Sequence, residues 1–218
     1  MELYLNLLSL LILLSSFFLV ASKRIFTYIN VFQLQSALVA LSAAVIGIFN
    51  IKAGGSVEVL VLCLLIVALK VVYIPRLLKK TIKKIERTVE KDFYLNIPIS
   101  ILICGAMVIL TYYSLNSLQG VLNGQTKSYL VNAISIVLIG LFFMITRKKA
   151  IGQIVGFLVI ENGIFTATML AAHGMPLIID LGIFIDLLTA MMVMGVLVFR
   201  INETFESINI NKLKNLRG

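Results

Sequence analysis

The sequence predicts an all-α integral membrane protein with about seven transmembrane helices, and three observations support this fold class. The chain has 218 residues, of which 60% are hydrophobic and 13% are charged, about half the charged fraction of a typical soluble domain. The hydrophobic residues form long apolar runs, and the basic residues concentrate in alternate loops between them. A soluble globular enzyme and a disordered chain are both excluded, because neither combines few charges with so many apolar residues.

Each apolar run has about 19–22 residues, enough to cross a hydrocarbon core of about 30 Å as a helix. A segment in lipid has to be helical, because each backbone amide and carbonyl needs a hydrogen-bond partner within the segment. The runs cover residues 3–21, 29–50, 57–75, 96–115, 128–146, 150–171 and 177–199.

The basic residues indicate how the chain is oriented. Nearly all of the 19 Lys and Arg residues follow the first, third, fifth and seventh runs, as the positive-inside bias predicts for cytoplasmic loops. The net charge of +9 is explained by this bias and does not indicate nucleic acid as a partner. We expect a prokaryotic cell (inner) membrane protein with its N-terminus outside and its C-terminus in the cytoplasm. Lys23 and Arg24 follow the first run instead of preceding it, which favours a retained span over a signal peptide.

The chain divides at a polar link. Residues 1–115 contain four predicted helices, residues 116–127 form the link, residues 128–200 contain three helices, and residues 201–218 form a polar cytoplasmic tail. Within the first part, residues 76–92 place apolar residues at helical spacing among basic ones. This pattern predicts either an amphipathic helix on the cytoplasmic membrane surface or a solvated extension of the third span.

Ionisable residues inside the membrane are the candidates for chemistry, because they are costly there and usually functional. Glu161 lies near the middle of the sixth run and Asp186 near the middle of the seventh. The short link 172–176 makes these runs antiparallel neighbours, so the two carboxyls are expected at nearly the same depth. A lone carboxylate at that depth is strongly penalised and is expected to take up a proton, which suits a proton relay. A structural acid that hydrogen-bonds between helices is the alternative for both residues.

Two further charged residues are candidates for the relay. Asp180 lies near the outer end of the seventh run and marks either a proton exit or a solvated helix cap. Lys70 lies before Pro75, near the expected cytoplasmic end of the third run. Its long stem could therefore extend to the headgroups, and a buried relay role is the alternative.

Polar and small residues accompany the two central acids. Four polar residues lie on the face of an acid or within a turn or two of it, and could support a hydrated path. These residues are Asn162, Gln153, Thr168 and Thr189. Gly152 and Gly156 form a G-xxx-G pattern, which is typical of close helix packing.

The residue inventory argues against several kinds of site. Cys63 and Cys104 lie singly in apolar runs, and His173 is the one histidine. A zinc site, an iron–sulfur cluster or a bis-histidine haem cannot be built from these residues alone. The sequence contains no phosphate-binding glycine loop followed by Lys-Ser/Thr, and a lone interfacial histidine does not suit a Ser-His-Asp or Cys-His set. We therefore expect neither a catalytic residue nor a metal in this chain.

The C-terminal part resembles a known family. The segment GFLVIENG at 156–163 and the run GMPL at 174–177, with the acidic start of the next span, resemble the HyfE-like subunit (hydrogenase-4 component E) of membrane-bound group-four nickel–iron hydrogenases. That family is similar to the K subunit of respiratory complex I (NuoK-like) and to the C subunit of Mrp-type antiporters (MrpC-like). The ending LRG at 216–218 is similar to the basic tails of K subunits.

The resemblance implies a non-catalytic membrane-arm subunit of a hydrogenase-like or complex-I-like oxidoreductase. In K subunits two membrane-embedded glutamates carry protons; Glu161 stands near the place of the first, and Asp186 is the residue that this chain offers for the second. The last three runs would form a K-subunit-like core. Nickel–iron and iron–sulfur centres are then expected in partner subunits, with antiporter-like membrane subunits as neighbours and proton or sodium translocation as the shared task. A stand-alone secondary transporter and a purely structural membrane scaffold are the alternatives.

Overall fold

A computed structural model of the chain describes residues 2–52, 54, 58–82, 95–116 and 124–171. Each long regular element in these residues is helical. In chain order the elements are α1 (Glu2–Ala21), α2 (Ile25–Lys52), α3 (Glu58–Ile66), a π-helical segment (Val67–Tyr73), α4 (Ile74–Ile82), α5 (Ile97–Asn116), α6 (Gly124–Thr146) and α7 (Ala150–Ala171). The π-helical segment joins α3 directly to α4, so these three elements form one continuous helix, which we call the third span.

Six helices within the described residues are long and apolar enough to cross a membrane, judged by length and composition. They correspond to the first six predicted runs, which confirms the helical membrane class for this part of the chain. The predicted seventh run, 177–199, and the tail 201–218 lie outside the described residues, so the count of seven stays a prediction. The fifth helix of the predicted order begins earlier than its run at 128–146, because residues 124–127 already belong to α6.

Two helices organise the bundle. The central position of α6 brings it against α1, α5 and α7, while α2 packs against α1, the third span and α7. Among the six spans that the structure describes, α7 is the most enclosed, with 67% of its apolar window buried, and α5 is the least enclosed, with 17%. A helix buried on most sides can hold polar groups away from lipid, so α7 is the span best placed to carry them.

Two contacts fix the relative direction of α1 and α6. Asn132 Nδ2 donates to Ser9 Oγ at 2.9 Å, and Arg147 Nη2 donates to the carbonyl of Val20 at 2.9 Å. Both helices advance in the same direction between these contacts, so α1 and α6 are parallel. The basic residues that follow α1 and α6 therefore lie at the same end of the bundle, in keeping with the charge bias of the sequence.

Glycine residues allow α6 and α7 to approach closely. A Cβ atom built at Gly156 would lie 2.8 Å from the Cβ of Met144, and one at Gly163 would lie 2.8 Å from a methyl group of Val137. Gly140 of α6 has the same property toward α7. Gly156 lies where the G-xxx-G pattern predicts close packing, whereas no packing role was predicted for Gly140 or Gly163.

Replacing Gly156 by alanine tests this contact. We expect Gly156→Ala to lower the melting temperature in detergent, because the methyl group would meet backbone atoms of Met144 at 2.9 Å. Gly105→Ala in α5 is the matched control, since a Cβ there meets nothing within 4 Å and alanine favours a helix by about 1 kcal/mol over glycine. Equal melting temperatures for the two variants would contradict the close approach.

The π-helical segment is explained by Pro75. Proline lacks an N–H, and its ring clashes with the carbonyl four residues earlier, which here belongs to Val71. The N–H of Ile74 donates to the carbonyl of Leu69, five residues back, as in a π-helix. The Val71 carbonyl instead accepts a hydrogen bond from Gln33 Nε2 of α2 at 2.9 Å. An amide from a neighbouring helix thus replaces the donor that proline lacks.

This geometry corrects the predicted end of the third run. The helix does not stop at Pro75 but continues to Ile82, and its apolar span runs over Val59–Lys80. Leu78 and Ile82 are buried in the hydrophobic core, and Lys79 Nζ donates to Gln33 Oε1 at 3.2 Å. As far as residue 82, the segment predicted as an amphipathic helix therefore extends the third span and packs on α2.

Because Gln33 supplies the hydrogen-bond donor that Pro75 lacks, substitutions at these two positions should be coupled in their effects on stability. Gln33→Leu should lower the unfolding free energy by about 1–3 kcal/mol, the cost of a buried carbonyl without a donor. In a Pro75→Ala background the cost should be smaller, because the alanine restores a backbone N–H that can serve the same carbonyl. Chemical unfolding of the four proteins in detergent measures the difference.

Lys79→Met, tested in both backgrounds, is the control for this cycle. It removes the other hydrogen bond of Gln33 without touching the Val71 carbonyl, so its cost should not depend on residue 75. If Gln33→Leu costs the same with proline and with alanine at position 75, the explanation of the π-helical segment is wrong.

Candidate functional site

Lys70 and Glu161 form a buried ion pair between the third span and α7. Lys70 Nζ lies 3.3 Å from Oε1 of Glu161, and the two side chains are 1% and 2% exposed. Lys70 lies on the π-helical segment, and Glu161 lies in the middle of α7. Either charge alone would be severely destabilising in this apolar surrounding, so each charge makes the burial of the other tolerable.

The interpretation that Lys70 extends to the lipid headgroups is wrong. Its amine points into the bundle toward Glu161, because the third span continues past Pro75 and leaves Lys70 near the middle of Val59–Lys80. Lys70 is buried, and the relay role, which was the alternative, stays a prediction. Glu161 is not a lone carboxylate either. Its counter-charge is the ammonium of Lys70, which lies on a helix that is distant in sequence.

Asn162 extends the ion pair toward α2. Lys70 Nζ donates to Asn162 Oδ1 at 3.4 Å and lies 5.2 Å from the centre of the Phe165 ring. Asn162 Nδ2 in turn donates to Gln35 Oε1 at 3.2 Å and to Ser36 Oγ at 3.1 Å. The amide of Asn162 therefore bridges the charged pair on one side and two polar side chains of α2 on the other.

Gln35 continues the connection to α1. Its Nε2 donates to Ser16 Oγ at 2.9 Å and to the carbonyl of Ile12 at 3.3 Å, and Ser16 Oγ also donates to that carbonyl at 3.3 Å. These side chains are all buried. These hydrogen bonds run in series from Lys70 through Asn162 and Gln35 to the Ile12 carbonyl. We call this series of hydrogen bonds the amide chain.

The other predicted polar residues lie apart from the ion pair. Gln153 is exposed and donates through Nε2 to the carbonyl of Arg147 at 3.2 Å, so it supports the α6–α7 turn. Thr168 is half-buried and donates to the carbonyl of Phe165 within its own helix. Of the predicted supporting residues that the structure describes, Asn162 is therefore the one that contacts the pair.

Some predicted residues lie outside the described part of the chain, and their roles stay predictions. These residues are Asp186, Asp180, Thr189 and His173. Conversely, four residues belong to the site but were not recognised in the sequence. These residues are Gln35, Ser36, Ser16 and Phe165. The signal for Gln35 was a glutamine inside an apolar run, because such a group needs a hydrogen-bond partner once it is buried.

Arg147 is a second buried cation, and it has a structural role. Besides its bond to the Val20 carbonyl, its guanidinium lies 4.4 Å from the ring centre of Phe143 and 5.1 Å from that of Tyr28. The carbonyl belongs to the last turn of α1, where a cation is favoured by the helix dipole. Arg147 therefore ties the end of α1 to the α6–α7 turn.

The chemistry that this arrangement offers is proton exchange at a carboxylate beside a fixed cation. Within the described ranges, no three His, Cys, Asp or Glu side chains come together as metal ligands. The buried ion pair and its amide chain thus define the class of protein: a multi-pass helical membrane protein with a charged pair at mid-span.

Comparison with known proteins gives the family. The chain is 32% identical over 154 residues to the uncharacterized protein Rv0085 of Mycobacterium tuberculosis, an alignment that covers 70% of each chain. The chain therefore belongs to the same family as Rv0085. It is also 24% identical over 149 residues to hydrogenase-4 component E of Escherichia coli K12, covering 68% of this chain and 69% of that protein, with the same figures for the Shigella flexneri protein. No protein-family model and no solved structure matches.

The ion pair predicts strongly non-additive substitutions. Lys70→Met and Glu161→Gln should each lower the unfolding free energy by about 3–5 kcal/mol, because each leaves the partner charge buried without its counter-charge. The double variant should recover much of this loss, since neither charge remains. Unfolding of the three variants in detergent, compared with the parent chain, measures the coupling.

Lys79→Met is the matched control for this cycle, because Lys79 is a half-buried lysine of the same span that contacts Gln33. It should show no coupling to Glu161→Gln. Losses that simply add in the Lys70→Met/Glu161→Gln double variant would contradict a direct ion pair.

Proposed function

We propose that this chain is a non-catalytic membrane-arm subunit of a hydrogenase-like or complex-I-like oxidoreductase, in which Glu161 relays protons that redox chemistry in partner subunits drives. The observation that carries the proposal is the buried Lys70–Glu161 pair at mid-span. Intramembrane ionisable residues mark ion pathways more often than they serve as packing. The similarity to hydrogenase-4 component E supports membership of a membrane complex.

The relay uses two charge states of one site. With Glu161 ionised, the pair is neutral overall. When Glu161 takes up a proton, the charge of Lys70 is no longer balanced, and the site carries a net positive charge. At low dielectric this change is felt strongly by other charged groups nearby. Asp186 is the proposed second carboxyl and Asp180 the proposed exit, both on the seventh run.

The ion that the site carries is proposed to be the proton. A proton becomes part of the carboxyl group and removes its charge. A sodium ion at the carboxylate would remain a full cation close to the ammonium of Lys70, which lies 3.3 Å from Glu161 Oε1, and the two cations would repel each other. Sodium is therefore the less favoured ion at this site.

The proposal includes the surroundings of the chain. The N-terminus lies outside a prokaryotic cell membrane and the C-terminus in the cytoplasm, as the loop charges indicate. Antiporter-like membrane subunits are the neighbours, and nickel–iron and iron–sulfur centres belong to soluble partner subunits. Purification of the tagged native protein in mild detergent, followed by mass spectrometry, tests this assignment. A homo-oligomer without such partners would contradict it and favour a stand-alone transporter.

Substitution of Glu161 in the assembled complex tests the relay. We expect Glu161→Gln to reduce redox-driven proton uptake by inverted membrane vesicles about a hundredfold, the scale of losing a positioned proton-transfer group. Uptake would be followed with a pH-sensitive dye, and assembly would be checked by copurification of the partners. Unchanged uptake by an assembled complex would overturn the relay.

Asn132→Leu is the control for this experiment. It removes a hydrogen bond between α6 and α1, from Asn132 Nδ2 to Ser9 Oγ, without touching the ion pair. It should leave proton uptake per assembled complex unchanged. If Glu161→Gln instead prevents assembly while Asn132→Leu does not, the acid has a structural role and the scaffold interpretation holds.

A further inference from the structure

We propose that Lys70 remains an ammonium throughout the relay, held in that state by the amide chain, so that Glu161 alone exchanges protons. Asn162 and Gln35 are then positioning residues for the cation. The inference rests on the proposed function of Glu161 and adds which of the two charged groups titrates. It follows from the direction of the hydrogen bonds in the amide chain.

The direction of these bonds is set at α1, at the end of the chain far from the ion pair. The Ile12 carbonyl can only accept, so the Gln35 group that faces it at 3.3 Å has to be the amide nitrogen. The oxygen of Gln35 then faces Asn162, which has to present its own nitrogen at 3.2 Å. The remaining Asn162 atom, Oδ1, is left facing Lys70 at 3.4 Å.

An oxygen atom therefore faces Lys70 whether or not Glu161 is ionised. Turning the Asn162 amide around would place its nitrogen against the ammonium and its oxygen against the oxygen of Gln35, which is doubly unfavourable. Ser36 Oγ accepts a hydrogen bond from the same amide nitrogen at 3.1 Å; as a hydroxyl it suits either orientation of the amide, so the Gln35 oxygen is what fixes the orientation. The amide chain is a fixed dipole whose negative end points at the cation.

The aromatic ring of Phe165 also stabilises the ammonium of Lys70. Its centre lies 5.2 Å from Lys70 Nζ, within the range in which a ring face attracts a cation, and the attraction is greater away from water. When Glu161 takes up a proton and its charge disappears, the Asn162 oxygen and the Phe165 ring still stabilise the ammonium. The ammonium therefore keeps two stabilising partners in both charge states of Glu161.

The two halves of the chain contribute different parts of this device. The N-terminal helices supply the cation from the π-helical segment, the amide of Gln35 from α2, and the terminal acceptors Ser16 and Ile12 from α1. The later helix α7 supplies the acid and Asn162. The helices before the link are therefore part of the relay itself, and they fix the charge beside Glu161.

Arginine at position 70 tests whether the cation has to lose its proton, because arginine stays charged in proteins. In the assembled complex we expect Lys70→Arg to lose less than about tenfold in redox-driven proton uptake, against about a hundredfold for Lys70→Met. Loss of uptake in an assembled Lys70→Arg complex, equal to that of Lys70→Met, would overturn the inference.

Nitrogen-15 NMR of the full chain in lipid bilayers observes the charge directly. Lysine labelled at Nζ distinguishes ammonium from amine, and the Lys70 signal is identified by its loss in Lys70→Arg. Glu161→Gln imitates the protonated acid, and Lys70 should stay an ammonium in it. In Glu161→Gln/Asn162→Leu the amide oxygen is lost as well, and the signal should shift to the amine.

Each outcome addresses one proposal. An amine signal in Glu161→Gln alone would overturn the assignment of Lys70 as a permanent cation, even if Glu161 is the relay. An ammonium that persists in Glu161→Gln/Asn162→Leu would show that the amide chain does not hold the charge. Glu161→Gln/Asn132→Leu is the control, because it removes a half-buried amide that lies outside the site. Failure of the relay itself appears separately, as unchanged proton uptake in Glu161→Gln.

Discussion

The burial of one ammonium group constrains much of this structure. Lys70 lies in the middle of a membrane span, where a cation is stable only with close partners. Those partners come from α7 as the carboxylate of Glu161 and the amide of Asn162, and Asn162 is itself oriented from α2 and α1. Four helices are therefore held to one register around a single charge.

The rest of the bundle keeps these partners in place. The close approach of α6 and α7 at the glycine positions locates the helix that carries Glu161. Arg147 fixes the end of α1 to the turn before α7. The two helices that carry the ends of the amide chain, α1 and α7, are therefore held together. In a membrane, where lipid is as apolar as the helix surfaces, such packing and polar contacts replace the hydrophobic effect as the force between helices.

Sequence reasoning located the acid but not its partner, and the reason is physical. Glu161 and Asn162 are polar residues in the middle of an apolar run, so their depth follows directly from residue counting. Lys70 was placed near the membrane surface because a proline commonly ends a helix, whereas Gln33 of another helix satisfies the Val71 carbonyl and lets this helix continue. The pairing itself depends on helix rotation and on which helices are neighbours, and neither quantity is contained in hydrophobic periodicity.

The use of a side-chain hydrogen-bond donor in place of a backbone donor has a consequence for how the two positions evolve. Pro75 determines the π-helical turn that aims Lys70, and Gln33 makes that turn tolerable, although the two residues lie on different helices. Neither residue touches the charged pair, yet a lineage that loses one of them relaxes the need for the other. The two positions should therefore change together among relatives, and lineages that keep both should also keep the lysine that the turn presents.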